Sequence, residues 1–217
     1  MSLLLRHPSW LLSATLDADM TFALVVVGAA GSGKSTVALE VARRSGATYL
    51  DKDSLAGPLV EAAMRARSQP PEGRESNRFY RESVMPAEYA AILSVAADNL
   101  RLGLSVVIDA PFAAYLDQPE FLDEATRRAG WPEVTRFVLQ VFASEAETRR
   151  RLEMRGLPRD RPKLSNWDEF WPRWGRSRIT WTGVRVLQFD TESDADIDEV
   201  LTRLRLPPSG PASPDDR

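Results

Sequence analysis

Strand and helix signals alternate along this 217-residue chain in the manner of an α/β fold, with a five-stranded parallel sheet layered between helices. Three observations carry that expectation. TFALVVV (21–27) is an unbroken apolar run rich in β-branched residues, as a strand buried on both faces requires. The glycine-rich stretch GAAGSGKST (28–36) follows it at once, and KSTVALEVARRSG then spaces Val37, Ala38, Val41 and Ala42 as one helical face. Four further strand signals follow, separated by helical stretches.

The elements can be justified in order. Gly46 is a suitable C-terminal cap for the first helix. ATYLD (47–51), LSVVID (104–109), VTRFVLQVF (134–142) and VRVLQFD (184–190) predict the remaining strands. Helices are expected in the stretches that open at Pro86, Pro119 and Ser144, and in DADIDEVLTRLRL near the end. Ser144 and Glu147 have the spacing of a capping box. Two segments interrupt the rhythm: SQPPEGRESN (68–77) and GLPRDRPKLSN (156–166) read as mobile loops, each where a phosphate-transfer site would have a moving cover. Residues 1–20 read as a dispensable leader, 21–206 as one domain with an Arg-rich lid near 149–166, and 207–217 as a disordered tail.

Composition narrows the function. A net charge of −3 argues against a generally basic nucleic-acid binder. The absence of cysteine excludes disulfides, thiolate metal sites and a cysteine nucleophile. His7, the single histidine, falls in the leader, which disfavours a histidine-based catalyst. No stretch approaches a membrane-spanning length and no secretory signal is legible, so the expected location is cytoplasmic. Only Lys34, Lys52 and Lys163 are lysines among 28 basic residues. Lys52 and Lys163 read equally well as site residues or as ordinary solvated ones.

The loop carries the clearest chemistry. GAAGSGKST has the form GxxxxGK(S/T), with Gly28, Gly33, Lys34 and Ser35 in register. Such a match arises by chance in about one chain in a hundred of this length. Between a strand and a helix, the backbone amides of Gly28, Ala29, Ala30, Gly31, Ser32, Gly33, Lys34, Ser35 and Thr36 can face phosphate oxygens, helped by the helix dipole. Lys34 would bridge the β- and γ-phosphates and Ser35 would ligate Mg²⁺. Asp51 or Asp53, just past the second strand, could take the proton of an attacking hydroxyl, and periodicity does not separate them. Asp109 ends an apolar strand in the pattern that holds Mg²⁺, although Asp190 ends one similarly. Arg151 and Arg155 share a helical face and could both reach phosphates, whereas Arg149 and Arg150 suit a solvated face. Arg159 and Arg161 are further lid candidates. Trp167, Phe170, Trp171, Trp174 and Trp181 suit core packing between lid and last strand, or stacking on a ligand.

Taken in order, GAAGSGKST, YLDKDSL, SVVIDAPF and RRLEMRG resemble the P-loop kinases of the nucleoside-monophosphate-kinase-like group. The chain looks most like chloramphenicol phosphotransferase-like enzymes, polynucleotide kinase domains, gluconate kinase and zeta toxins, over about residues 21–165. The resemblance implies a three-layer P-loop NTPase fold with a five-stranded parallel sheet and an Arg-rich lid. It also implies ATP and Mg²⁺ as cofactors and substrate held between the second and third strands. It selects Asp53 over Asp51 as the base, puts the lid arginines at Arg151 and Arg155, and gives Asp109 a metal or substrate contact. Residues 56–102 contain Arg74, Arg78, Tyr80, Arg81, Glu82, Glu88 and Tyr89, whose polar groups match no family pattern.

The resulting expectation is γ-phosphoryl transfer to a hydroxyl of a small metabolite, sugar, nucleoside or antibiotic, by a monomer or homodimer. Two other readings remain open. A polynucleotide 5′-hydroxyl kinase would bind oligonucleotides with strong salt dependence. A nucleotide-dependent switch or binding module would have no acceptor and would be indifferent to Asp53→Asn.

Overall fold

The structure is a computed structural model that describes residues 21–71, 74–175, 177–193 and 196–205. The leader and tail expectations, and His7, lie outside the described residues.

Five strands form one all-parallel sheet: β1 (Phe22–Val27), β2 (Thr48–Asp51), β3 (Val106–Asp109), β4 (Thr135–Phe142) and β5 (Arg185–Asp190). Their order across the sheet is β2-β3-β1-β4-β5. The three-layer expectation is met, because β1 alternates its side chains between two separate cores. Ala23, Val25 and Val27 face Ile92, Leu93 and Ala96 of α3 (Met85–Arg101) and Leu122 of α4 (Phe121–Ala129). Phe22, Leu24 and Val26 face Val37, Ala38 and Val41 of α1 (Lys34–Ser45) and Val200, Leu201 and Leu204 of α8 (Ile197–Arg205). The period of two in a strand thus explains why the first run is apolar at every position.

Register places the carboxyl ends of three strands together. Val26 of β1 pairs with Asp109 of β3, and Asp109 pairs with Asp51 of β2. In an open parallel sheet this rim is where ligands bind. Between β2 and β3 run α2 (Lys52–Ala66), a short 3-10 turn (Arg74–Ser76), a π-helical turn (Tyr80–Val84) and α3. Between β4 and β5 run α5 (Glu145–Arg155), a 3-10 turn (Pro158–Asp160), α6 (Arg161–Ser165), α7 (Trp167–Phe170) and a π-helical turn (Trp171–Gly175).

Two local expectations need correction, at 156–166 and at the capping box. The stretch 156–166, expected as an irregular loop, is largely helical: its prolines sit at the first positions of the 3-10 turn and of α6, where the missing N–H costs nothing. The stretch 68–77 contains the Arg74–Ser76 turn, and residues 72 and 73 lie outside the described residues. The capping box is half formed. Ser144 accepts from the Glu147 N–H at 3.2 Å, but its own N–H goes to the Glu192 carboxylate, because Arg150 and Arg151 occupy Glu147.

Candidate functional site

The phosphate loop begins where β1 ends. Gly31 and Gly33 adopt φ of 87° and 90°, which an L side chain resists, and Gly33 caps α1 from that conformation. A Cβ on Gly28 would stand 2.3 Å from the Val141 carbonyl oxygen of β4, so backbone closeness explains that glycine. Lys34, Ser35 and Thr36 occupy the first turn of α1, and the Ser35 and Thr36 side chains are exposed. The Ser32 hydroxyl is buried and has no hydrogen-bond partner among the described residues.

A cleft of about 340 Å³ opens beside this turn, lined by Lys34, Ser35, Asp51, Lys52, Asp53, Ser54, Asp109, Pro111 and Arg159. Lys34, Ser35, Asp53 and Asp109, singled out from scattered stretches of sequence, therefore share one space. Asp109 is only 1% exposed; one carboxylate oxygen takes the Lys34 ammonium and the other accepts from the Tyr49 hydroxyl at 2.9 Å. Burial, then the Asp109 charge, push the Tyr49 phenol well above its ordinary range, so it stays a donor.

Geometry distinguishes the paired aspartates. The strand ends at Asp51 rather than continuing, and Asp51 caps α2, its carboxylate accepting from the Ser54 N–H at 2.6 Å. Asp53 lies in the first turn of α2, with 43% of its side chain exposed. Three cations surround it: Lys52 at 3.2 Å, Arg159 at 3.0 Å and Arg74 at 3.5 Å. Burial pushes the Asp53 carboxyl up, but Lys52, Arg159 and Arg74 outweigh that and hold it below the usual carboxylate range.

Lys52 is not a solvated residue. It is 5% exposed and bound at 2.6 Å to Glu88 of α3, itself 3% exposed, which also accepts from the Tyr80 hydroxyl at 3.3 Å. The second Glu88 oxygen has no hydrogen-bond partner among the described residues. No local pattern in the sequence assigns Glu88 or Tyr80 a role, and 36 residues separate Lys52 from Glu88. The only local signal was a lone lysine between two aspartates. Lys163 is also mostly covered, paired with Glu75 at 3.3 Å.

The lid arginines have distinct partners. Arg151 lies against the phosphate loop: its guanidinium donates to the Ser32 carbonyl at 3.2 Å and to the Thr191 hydroxyl at 2.7 Å, while Glu147 holds its Nε at 2.7 Å. Hydrogen bonds from Arg150 and Arg151 bring the Glu147 carboxyl down to about 2. Arg155 is engaged by both oxygens of the buried Asp160, each at 2.9 Å, and does not line the cleft. Arg159 does line it. Arg149 and Arg150 lie on the exposed side of α5, as expected. Sequence reasoning passed over Tyr49, Thr191 and Asp160.

The tryptophans divide between two cores. Trp167, Phe170 and Trp171 pack on Leu152 of α5, with Ala30 of the phosphate loop and Trp174 against them. Trp181 lies in the core under β1 and β3, edge-on to Phe112. The 167–174 part of the stretch thus packs beneath α5, while Trp181 belongs to the sheet core.

Among the described residues no cluster of three or more His, Cys, Asp or Glu side chains forms a metal cage. The cleft instead offers the Ser35 hydroxyl and the Asp109 carboxylate. Such a sparse donor set suits Mg²⁺, which keeps several waters and takes phosphate oxygens as ligands. Because Lys34 and Tyr49 engage both Asp109 oxygens, contact through water is the better match.

The fold has solved counterparts. A candidate kinase from Chloroflexus aurantiacus J-10-fl is similar over 87% of this chain and all of its own, with a TM-score of 0.60 and 17% identity. A sugar kinase from Janibacter sp. HTCC2649 is similar over 84% of this chain and 91% of its own, with a TM-score of 0.54 and 16% identity. At such identities the likeness shows the fold. No curated protein sequence matches the chain. No helix among the described residues is long and apolar enough to cross a membrane. The AAA domain family model AAA_33 matches residues 24–171, and with the phosphate loop and parallel sheet above, the chain belongs to that family.

Proposed function

We propose that the protein is an ATP- and Mg²⁺-dependent kinase that transfers the γ-phosphoryl group to a hydroxyl of a small molecule. The observation that carries the reading is the single cleft in which Lys34 and Ser35 of the phosphate loop face an ionised, accessible Asp53. Phosphoryl transfer needs little covalent help from protein, so positioning and charge do most of the catalysis.

In this reading the loop amides and Lys34 hold the triphosphate, with Lys34 exchanging Asp109 for phosphate oxygens. Ser35, with Asp109 through water, would hold Mg²⁺, which when bound neutralises phosphate charge. The acceptor hydroxyl attacks the γ-phosphorus as Asp53 takes its proton, and ADP leaves. Arg151 fixes the loop through the Ser32 carbonyl, and Arg155 and Arg159 belong to the lid that excludes water. A location inside the cytoplasm and a monomeric or dimeric state accompany the reading. Net acidity and the lack of a basic tract disfavour a polynucleotide acceptor.

The test is mass spectrometry of a producer-cell metabolite extract incubated with ATP, Mg²⁺ and either the wild-type protein or Asp53→Asn. A compound that gains one phosphoryl mass only with wild type supports the reading. ATP binding with no new phosphorylated species contradicts it.

A further inference from the structure

The three cations around Asp53 are held with unequal firmness. Arg159 reaches it at 3.0 Å from the turn after α5, but the Arg159 side chain is 54% exposed. Arg74 reaches it only at 3.5 Å, from the turn after α2. Lys52, at 3.2 Å, is buried. Its ammonium is bound at 2.6 Å to Glu88 in the first turn of α3 and lies 5.7 Å from the centre of the Tyr89 ring. The Tyr89 hydroxyl accepts in turn from the Phe112 N–H at 3.1 Å, just past β3. The place of Lys52 is therefore set by the core of the sheet, and that of the two arginines by surface turns.

Stability alone does not account for the Lys52–Glu88 pair. Replacing a buried ion pair by apolar side chains of similar volume is often neutral, and the pair repays its desolvation only when its remaining polar atoms are satisfied. One buried Glu88 oxygen here lacks a hydrogen bond among the described residues. Net charge does not account for the pair either. Lys34 is matched by Asp109 and Lys52 by Glu88, while Arg74 and Arg159 are matched by Asp53 and by Asp51, which lines the same cleft. What the pair does provide is direction. An ammonium carries three donors; with one held by Glu88, the others start from a fixed point, and one of them reaches Asp53.

We infer that Lys52 is a positioning residue for the base: clamped from behind by Glu88, its ammonium holds the Asp53 carboxylate charged and turned into the cleft. This rests on the kinase reading above and adds to it the group that aims the base. Lys52 acts through Asp53, so its loss should slow transfer and leave ATP binding unchanged.

The test compares the full wild-type chain with two variants. Lys52→Met/Glu88→Leu replaces the pair by apolar side chains. Glu88→Gln keeps a hydrogen-bond partner for Lys52 and Tyr80, and decides the question if the double variant does not fold. Each protein carries ¹³C-labelled aspartate, and the Asp53 carboxyl signal, assigned through Asp53→Asn, is followed by NMR against pH. Burial raises the Asp53 carboxyl and Lys52 lowers it, so it should titrate at higher pH in the double variant. In Glu88→Gln, which removes the negative charge competing for Lys52, it should titrate at lower pH. In the producer-cell extract with ATP and Mg²⁺, the double variant should form the phosphorylated compound about 10–100-fold more slowly at saturating ATP. Its KM for ATP should stay within about twofold of wild type, and its rate should rise with pH over a higher range. A pair that only stabilises the fold would leave both the Asp53 titration and the transfer rate at their wild-type values, and either result overturns the inference. If the Asp53 titration moves as expected but the wild-type protein phosphorylates nothing, the hold of Lys52 on Asp53 stands and the kinase reading falls. Wild-type transfer with an unmoved Asp53 titration does the reverse.

Discussion

Replacing Glu88 with alanine should destabilise the protein more than any surface substitution. The change leaves the Lys52 ammonium, 5% exposed, without the carboxylate now 2.6 Å away, and removes the acceptor of the Tyr80 hydroxyl. Breaking a buried ion pair from one side costs about 3–5 kcal/mol. Asp53 remains 3.2 Å from Lys52 and offsets part of that, so the expected loss is at the lower end, about 3 kcal/mol. With a urea slope of about 2–3 kcal/mol per molar, the unfolding midpoint should fall by about 1 M. The double variant Lys52→Met/Glu88→Leu removes both charges, and should recover to within about 1 kcal/mol of wild type because the pair's desolvation is removed with it. The assay is urea unfolding followed by tryptophan fluorescence. A midpoint shift under about 0.3 M for Glu88→Ala, or a double variant as unstable as the two single losses combined, would refute the reasoning.

Three further outcomes follow from the same geometry. Gly33→Ala puts a methyl at φ 90° and 3.1 Å from the Thr191 side chain, and should lose about 1–2 kcal/mol and weaken nucleotide binding at least tenfold in calorimetry; Gly46→Ala, with open space around it, should leave nucleotide affinity unchanged. Trp171→Ala empties the cluster beneath the lid and should cost about 3–5 kcal/mol in urea unfolding. Because the folded Asp53 carboxyl is held below its ordinary 3.8, its ion pairs stabilise the fold above that value and are lost as pH falls toward the lower folded value; the urea midpoint should therefore drop less between pH 5 and pH 3 in Asp53→Asn than in wild type.

What the sequence made legible was local. The phosphate loop, all five strands and most helix starts depend on spacing within about ten residues, and β1 even announced its double burial. The partners of the site residues were hidden, because they come from far along the chain: Arg159 reaches Asp53 across 106 positions, and Arg151 reaches the phosphate loop across 119. Asp51 and Asp53 were indistinguishable by period. They separate only because the strand stops at Asp51 and the carboxylate there is consumed as a helix cap. Prolines misled at 158 and 162, since the residue that breaks a helix also starts one. The tryptophans were legible as packing residues, but their division between the lid and the β1 core depends on tertiary contacts that no local pattern encodes.

The most direct test of the account is single-turnover phosphoryl transfer by Asp53→Asn on the acceptor found with wild type, measured beside ATP affinity. Removal of a base predicts transfer slowed by about 10²–10⁴-fold with ATP affinity within about twofold of wild type. Transfer that persists at the wild-type rate, or a parallel loss of ATP binding, would contradict it.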